Sequence, residues 1–185
     1  MRTRLIDCDP QRSAAGWYRL RAGTAPEVVA MAPDKLRAAV TQAKTDGYEL
    51  IVVDTRPSVE RDTAEVARVA DFSLIATRPS ILDLMAIGAT VEVVKALARP
   101  AAIILNACPA GRGADEAPVT VEARKGLVAY GLPLAPLVVT SRAALSHALI
   151  DGRAVTEFEP KGKAAGELRR VWEWTERYLW PNAQA

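Results

Sequence analysis

The sequence has 185 residues, 50% of them apolar, which suffices for one sizeable hydrophobic core and argues against two full-sized domains. Lys and Arg total 24 against 22 Asp and Glu, a formal charge of +2, so net charge alone announces no nucleic-acid or membrane partner. Any such binding requires a local patch. Cys8 and Cys108 lie far apart without C-x-x-C spacing, which argues against a disulfide framework or a zinc site and predicts two buried thiols.

Neither a secretory signal nor a membrane span is predicted. The amino terminus reaches Asp7 before an apolar stretch of signal-peptide length develops. The most apolar long window, 81–97, is interrupted by Asp83, Glu92 and Lys95, so a span of about 20 uncharged residues does not occur there. We therefore expect a cytoplasmic protein.

Short apolar runs alternate with amphipathic segments along the chain. This pattern is typical of a mostly parallel sheet with helices on both faces, a doubly wound α/β fold. The predicted strands are 3–6, 28–31, 50–53, 73–77, 101–105 and 134–139. We expect one domain over residues 1–180 and a frayed tail at 181–185.

Helices are predicted between the strands. Apolar residues at helical spacing predict one over 36–43, with Asp34 as its N-cap. The segment 82–98 is apolar around most of its circumference, which favours a helix buried in the core and leaves contact with a subunit partner as the alternative. Further helices are predicted at 119–130, at 143–150 and around 168–179. The segment 108–118 has no periodicity and is predicted to be a loop of functional length.

Three predicted strands end in residues that suit a binding site. Asp7 and Asp9 follow the first strand, Asp54 the third and Asn106 the fifth. In open parallel sheets ligands bind beyond the carboxyl ends of the strands, and phosphate-hydrolysing α/β proteins place a carboxylate there for magnesium-bound or attacking water. An amide that both donates and accepts suits the edge of a purine base. The alternative at each position is a turn residue.

Four motifs, in order, resemble the ParA/MinD class of partition ATPases. Residues 7–14, D-C-D-P-Q-R-S-A, resemble that class's D-x-D-P-Q-x-S-A segment, and residues 51–57 resemble its Walker B strand and D-T-x-P turn. Residues 104–106 resemble its adenine-contacting I-L-N. Residues 142–165 are similar to its closing pattern, R-x-A…G-x-x-V-x-E-x-x-P-x-x-K-A-A. The resemblance spans residues 5–165 and implies a P-loop NTPase-like fold that binds ATP and Mg²⁺.

The resemblance also implies roles for individual residues. Asp9 would lie near the γ-phosphate and position or activate the hydrolytic water, with Pro10 beside it in the nucleotide site. Asp54 would be the Walker B acid that acts on Mg²⁺ through water. Asn106 would contact adenine.

Basic residues of the closing pattern imply contact with DNA. Arg142 falls where related proteins place basic residues that touch the DNA backbone. Lys161, Lys163, Arg169 and Arg170 would extend this DNA-binding patch, although solvated surface charges are the alternative. The class implies an ATP-dependent homodimer in plasmid or chromosome partition. It would bind non-specific DNA, associate with the nucleoid, and respond to a ParB-like or centromere-binding partner.

The defining phosphate loop of the class, K-G-G-x-G-K-T, has no counterpart in these 185 residues, which contain no G-x-x-x-x-G-K-[ST]. By the matched spacing, the first strand, loop and first helix would precede Met1. That strand lies inside the family's sheet, and each buried backbone group that loses its partner costs about 1–3 kcal/mol. We expect a longer natural polypeptide, with a rearranged sheet or a strand from another chain as alternatives. ATP hydrolysis by this sequence is expected to be absent or very weak.

Other functions stay open at this point. One is a catalytically inactive interaction module that keeps the dimer or partner surface and does not respond to nucleotide. Another is a reductase or amidotransferase of the same superfamily, which the position of Cys8 in a strand-end motif disfavours. The C-terminal helix carries Trp172 and Trp174, which suit a membrane surface, but Glu173 and Glu176 favour packing on the sheet.

Overall fold

The computed structural model describes residues 1–56, 60–113 and 115–181. Pro57, which ends the D-T-x-P motif, and residues 182–185 of the predicted tail lie outside the described residues. All six predicted strands are confirmed, each starting at or next to the predicted residue. They are Thr3–Asp7 (β1), Glu27–Ala30 (β2), Leu50–Asp54 (β3), Ser73–Thr77 (β4), Ala101–Cys108 (β5) and Leu134–Thr140 (β6).

Helices follow the strands along the chain. They are Ser13–Leu20 (α1), Leu36–Thr45 (α2), Glu60–Val69 (α3), Ile81–Ala86 (α4), Gly88–Ala96 (α5), Pro118–Leu127 (α6), Ala143–Leu149 (α7), Val155–Phe158 (α8) and Lys163–Leu179 (α9). Within the described part of the chain, none of these helices combines the length and apolarity that crossing a bilayer requires. The alternation of strands and helices confirms the predicted α/β class.

Among the described residues every strand pair is parallel, and the strands form two three-stranded sheets. Their orders are β2-β1-β3 and β4-β5-β6. Because all strands run the same way within a sheet, their carboxyl ends share one edge. Among the described residues β3 pairs only with β1, and β4 only with β5, so the doubly wound sheet divides between β3 and β4.

The helix α3 joins the hydrophobic cores of the two sheets. Its Val66 and Val69 pack against the core that contains Ile6. Its Ala67 lies in the second core, beside Ile75. Adjacent residues of α3 therefore face different sheets, and this one helix covers the junction between them.

A second connection between the sheets runs from the end of α1 to the turn before α8. The Trp17 indole N–H donates to the Arg153 carbonyl over 3.4 Å, and the Arg21 guanidinium donates to the Gly152 carbonyl over 3.1 Å. Gly152 has a positive φ of 70°. A Cβ atom there would overlap the backbone of Arg21 and Leu20, so the close approach depends on glycine.

Helices cover both faces of the second sheet. Ile103 and Leu105 of β5 pack on one face with residues of α5 and α6. Ile104 packs on the other face with β6 and α9. This accounts for the nearly continuous apolar run of β5, since a strand of a buried parallel sheet needs apolar residues on both sides. Both cysteines are buried, as predicted.

The predicted helix over 82–98 is interrupted, and this prediction was wrong in two respects. One residue, Ile87, separates α4 from α5. Beside it the Tyr130 hydroxyl donates over 2.6 Å to the Leu84 carbonyl, which is the acceptor that the Gly88 N–H would use in a continuous helix. The α5 half is buried, as expected. The α4 half leaves Ile81, Leu82 and Met85 between 67% and 76% exposed.

The predicted N-cap of α2 is also corrected. Asp34 lies within a short 3₁₀ turn, Pro33–Lys35, and the N-cap position of α2 is Lys35, which makes no side-chain capping bond. The proline at the start of this turn fixes the entry into the helix in place of a capping carboxylate.

Candidate functional site

Acidic residues converge at the carboxyl edge of the first sheet. Asp7 ends β1 and Asp54 ends β3, and the two are direct partners in the parallel register. Asp9 lies two residues beyond Asp7, and its backbone N–H donates to the Asp7 carboxylate over 3.1 Å. The structure therefore brings the two predicted catalytic acids, Asp9 and Asp54, together around a third carboxylate.

Asp7, which was predicted to lie at this strand end but without a role of its own, organises this edge. It is almost fully buried, with 1% of its surface exposed. One carboxylate oxygen accepts from the Asp9 N–H, and the other accepts from the Ala15 N–H in the first turn of α1 over 2.9 Å. A carboxylate in this position satisfies a free helix donor and interacts favourably with the positive end of the helix dipole. Asp7 thus fixes the loop that carries Asp9.

The acids repel one another electrostatically. Burial raises the pKa of the Asp54 carboxyl above its ordinary value, and the negative charges of Asp7 and Asp9 raise it further, while the Thr55 backbone N–H lowers it in part. Burial, followed by the charges of nearby carboxylates, also raises the pKa of the Cys8 thiol to about 11. Cys8 is therefore a neutral packing residue. The excess of negative charge favours a bound cation at this edge.

Direct metal coordination is a separate question from charge. Among residues 1–56, 60–113 and 115–181, no group of three His, Cys, Asp or Glu side chains is arranged to hold a metal ion. These carboxylates suit Mg²⁺ in the form that it prefers, with several of its waters retained.

Asn106 lies at the corresponding edge of the second sheet, in an irregular part of β5. The pairing of β5 with β6 shifts register between Leu105 and Cys108, and Ala107 has a φ of 50°. The Asn106 side-chain oxygen accepts from the Ala107 N–H over 2.8 Å. That contact holds the side chain against this turn while leaving its NH₂ group exposed as a donor. The predicted strand ended at Leu105, one residue before this irregularity.

A basic cavity of about 410 Å³ lies where β6 meets α9. It is lined by Arg142, Lys163, Gly166, Glu167 and Arg170. Two of the three residues predicted to bind DNA, Arg142 and Lys163, therefore share one concave surface. Lys161 is exposed in the turn before α9 and does not line the cavity. We call this cavity the basic pocket.

Arg142 is tied to the floor of the basic pocket by Glu167. Its guanidinium donates to the Glu167 carboxylate over 2.7 and 3.2 Å. Burial by itself would raise the pKa of Glu167, but hydrogen bonds from Arg142 and Thr140 outweigh burial and lower it. This pair could not be predicted from the sequence, because a glutamate on a helix is ordinarily exposed.

A larger cavity, of about 720 Å³, lies at the other end of β1. It is lined by residues such as Thr3, Pro26 and Tyr48 and contains none of the predicted site residues. The carboxylates of Asp7, Asp9 and Asp54 form what we call the acidic edge. The candidate site consists of the acidic edge and the basic pocket, because these hold the converging charged groups at the carboxyl ends of the strands.

The acidic edge fits part of a magnesium nucleotide. Asp9 and Asp54 suit hydrated Mg²⁺, and the exposed NH₂ of Asn106 suits a base. The same 185 residues hold no glycine-rich loop to surround a triphosphate. The residues present therefore fit the metal and the base but not the phosphates.

Comparison with known proteins finds two sequence relatives. No family model matches the chain. It is 29% identical over 180 residues to the maintenance of carboxysome distribution protein A of Gloeobacter kilaueensis, covering 95% of this chain and 81% of that protein. It is 27% identical over 179 residues to the protein of the same name from Halothiobacillus neapolitanus, covering 92% and 81%.

Solved structures share the fold. The chain matches the cell division ATPase MinD of Pyrococcus furiosus with a TM-score of 0.64 and 21% identity, over 81% of this chain and 65% of that one, so it spans just under two thirds of this MinD. The match to MinD of Pyrococcus horikoshii, complexed with Mg-ADP, has a TM-score of 0.70 and 15% sequence identity, and it covers 100% of this chain and 87% of that one. The match to apo McdA of Cyanothece has a TM-score of 0.67 and 14% sequence identity, and it covers 92% of this chain and 87% of that one. In its ordered motifs, its sequence relatives and its fold, this chain is similar to proteins of the ParA/MinD type.

Proposed function

We propose that this protein positions a cellular cargo in the manner of ParA-type proteins, with non-specific DNA as the surface on which it works. The observation that carries the proposal is the placement of charge: three carboxylates meet at the ends of β1 and β3, and a cationic cavity follows β6. Both lie beyond the carboxyl ends of parallel strands, where open α/β sheets bind ligands.

The acidic edge is the proposed nucleotide end of the molecule. Structural neighbours have been solved with Mg-ADP and with ATP. In this chain Asp54 would hold Mg²⁺ through water, Asp9 would orient a water near the terminal phosphate, and Asn106 would contact the base. Bound ATP supplies the transferable phosphoryl group, whose transfer depends on positioning and charge neutralisation. Without a phosphate loop, the 185-residue chain should bind ATP weakly and hydrolyse it very slowly or not at all.

The basic pocket is the proposed DNA-binding end. Arg142 and Lys163 line it, and Lys161 lies in the turn that leads into α9. Contacts of this kind neutralise backbone phosphates and read no sequence, which suits a protein that moves over DNA.

The proposed assembly is a homodimer that responds to a partner protein. A MinD from Aquifex aeolicus has been solved in complex with MinC, so a partner-binding surface occurs in this fold. A ParB-like or centromere-binding protein would fill that role in plasmid or chromosome partition. The sequence relatives are named for carboxysome distribution, which favours a large cellular body over a replicon as the cargo.

The test measures DNA binding with and without nucleotide. Fluorescence anisotropy with a random-sequence duplex would compare the chain alone with the chain in ATP and Mg²⁺. Arg142→Ala and Lys163→Ala should each weaken binding and reduce its salt dependence. The matched control is Lys44→Ala, which removes an exposed lysine from α2 on the other sheet. Equal affinity in all four proteins would overturn the proposed DNA-binding role.

An interaction module without a nucleotide switch is the second candidate. The observation that favours it is α4, where Ile81, Leu82 and Met85 are largely exposed. Exposed apolar clusters of this kind mark protein interaction sites. The two functions separate on nucleotide: a partner or DNA affinity that changes with ATP supports the first, and one that does not change supports the second.

A further inference from the structure

Glu167 is the only glutamate whose side chain is buried in the described part of the chain. It lies in the second turn of α9 and faces the end of β6. Its carboxylate accepts from the Thr140 backbone N–H over 2.9 Å and from the Thr140 hydroxyl over 3.0 Å. It also accepts twice from Arg142, at Nε and Nη2. One carboxylate therefore joins the strand end, the helix and the guanidinium.

These bonds fix the plane of the Arg142 guanidinium. Two of its three nitrogens donate to Glu167, so rotation about the long side chain is blocked. The remaining donors stay at the wall of the basic pocket, where Lys163 and Arg170 add two further positive charges. Three cations against one carboxylate leave the pocket positively charged. A guanidinium held in this way loses less conformational entropy when it binds a phosphate than a free one does.

We propose that Glu167 is a positioning residue for phosphate binding, which orients Arg142 toward a backbone phosphodiester of DNA in the basic pocket. The inference rests on the proposed function, since it names how one residue of the DNA-binding surface is prepared. For the change in DNA affinity when Glu167 is neutralised, the proposal and simple electrostatics predict opposite signs. Removing a negative charge beside a polyanion should strengthen binding, whereas releasing Arg142 should weaken it.

The test is a double-mutant cycle with a random-sequence DNA duplex. Glu167→Gln keeps the shape of the side chain but offers one good acceptor where two are used. We expect it to weaken DNA binding by about fivefold to tenfold when Arg142 is present, and to have no effect or to strengthen binding in an Arg142→Ala background. Unchanged or tighter binding with Arg142 present would overturn the inference, as would an equal loss in both backgrounds.

Two controls separate positioning from charge and from folding. Glu173→Gln removes the same charge from an exposed position of the same helix and should leave affinity unchanged or slightly higher. Thermal unfolding of each variant shows whether the fold survives. The Nε–H resonance of Arg142, slowed in exchange by Glu167, should be visible in the wild type and lost in Glu167→Gln.

The outcomes distinguish this inference from the function on which it rests. A wild-type chain that binds no DNA would overturn the proposed DNA-binding role and, with it, any role of Glu167 in that binding. A wild type that binds through Arg142, together with a Glu167→Gln variant that binds equally well, would overturn the positioning role alone.

Discussion

Arg21 and Glu157 form a two-point ion pair that joins the two sheets, with Nη1 to Oε2 at 2.7 Å and Nη2 to Oε1 at 2.5 Å. The same guanidinium binds the Gly152 carbonyl, and the Trp17 ring lies against it. These contacts attach α1, which packs on the first sheet, to the turn between α7 and α8 on the second. Together with α3, these contacts connect the two sheets.

The ion pair predicts a stability change in acid. Hydrogen bonds from Arg21 and from the Ala154 backbone lower the pKa of Glu157 to about 2. Because the folded pKa lies below the ordinary value, the stabilisation is present at neutral pH and is lost as the pH falls from about 4.5 toward 2. Urea unfolding should show that Glu157→Gln costs about 1 kcal/mol near neutral pH and nothing at the acid end. A cost that does not change with pH would contradict this assignment.

Gly152 should resist substitution more than another glycine of similar backbone conformation. Both Gly152 and Gly131 have positive φ, 70° and 66°. A Cβ at Gly152 would overlap the backbone of Arg21 and Leu20, whereas at Gly131 nothing lies within 4 Å. Gly131→Ala should cost about 1 kcal/mol for backbone strain, and Gly152→Ala a further 1–3 kcal/mol for overlap that only separation of α1 relieves. Thermal unfolding of the two variants measures the difference directly.

The acidic edge predicts a shift in the titration of Asp54. Replacing Asp7 by Asn removes the negative charge with the larger effect on Asp54, so the pKa of Asp54 should fall toward its ordinary value. The folded pKa of Asp54 is raised, so the fold loses stability as the pH rises through it, and Asp7→Asn should make this pH-dependent loss smaller. The variant also weakens the hydrogen bonds that Asp7 accepts from the Asp9 and Ala15 N–H groups, so the quantity compared is the change of stability with pH. Carboxyl ¹³C NMR measures the shift. Asp34→Asn, an exposed site that does not act on Asp54, is the control and should leave the titration unchanged.

The two halves of the interrupted apolar segment should respond differently to mutation. Leu82 in α4 is 76% exposed, so Leu82→Gln should change the free energy of unfolding by no more than about 0.5 kcal/mol. Val91 in α5 is fully buried, and Val91→Ala should cost about 2 kcal/mol. Chemical denaturation checks both values. A large loss from Leu82→Gln would show that α4 packs against the molecule in solution.

The strands were predictable because each lies in a parallel sheet with both faces covered, which forces a short apolar run such as that of β5. The acidic turn after β1 was predictable for a related reason: ligands and turns both favour Asp where a strand ends. Both features depend on residues that are adjacent in the sequence. Asp9 and Asp54 therefore lie at the strand ends where they were predicted, whereas Asn106 lies within β5, two residues before its end.

Features that depend on distant residues were not predictable. The interruption after α4 lies beside a hydrogen bond from the Tyr130 hydroxyl to the Leu84 carbonyl, and these two residues are more than forty positions apart in the chain. The role of Glu167 requires the burial of one carboxylate between β6 and α9. The helix α3 was missed because half of its residues are charged and it presents only a narrow apolar face. Short helices such as α1 carry too little periodicity to identify.

The division between β3 and β4 bears on how this protein is handled in solution. Each of these strands has one edge whose N–H and C=O groups pair with no other described strand. Edges of this kind recruit strands from neighbouring molecules and are a common origin of aggregation. Concentrated samples should therefore self-associate without nucleotide, through strand pairing. An oligomer detected only by its size would therefore not be evidence for an ATP-dependent dimer. The control is a set of charged or proline substitutions in β3 and β4, which should leave an ATP-dependent dimer intact but disrupt an oligomer formed by strand pairing.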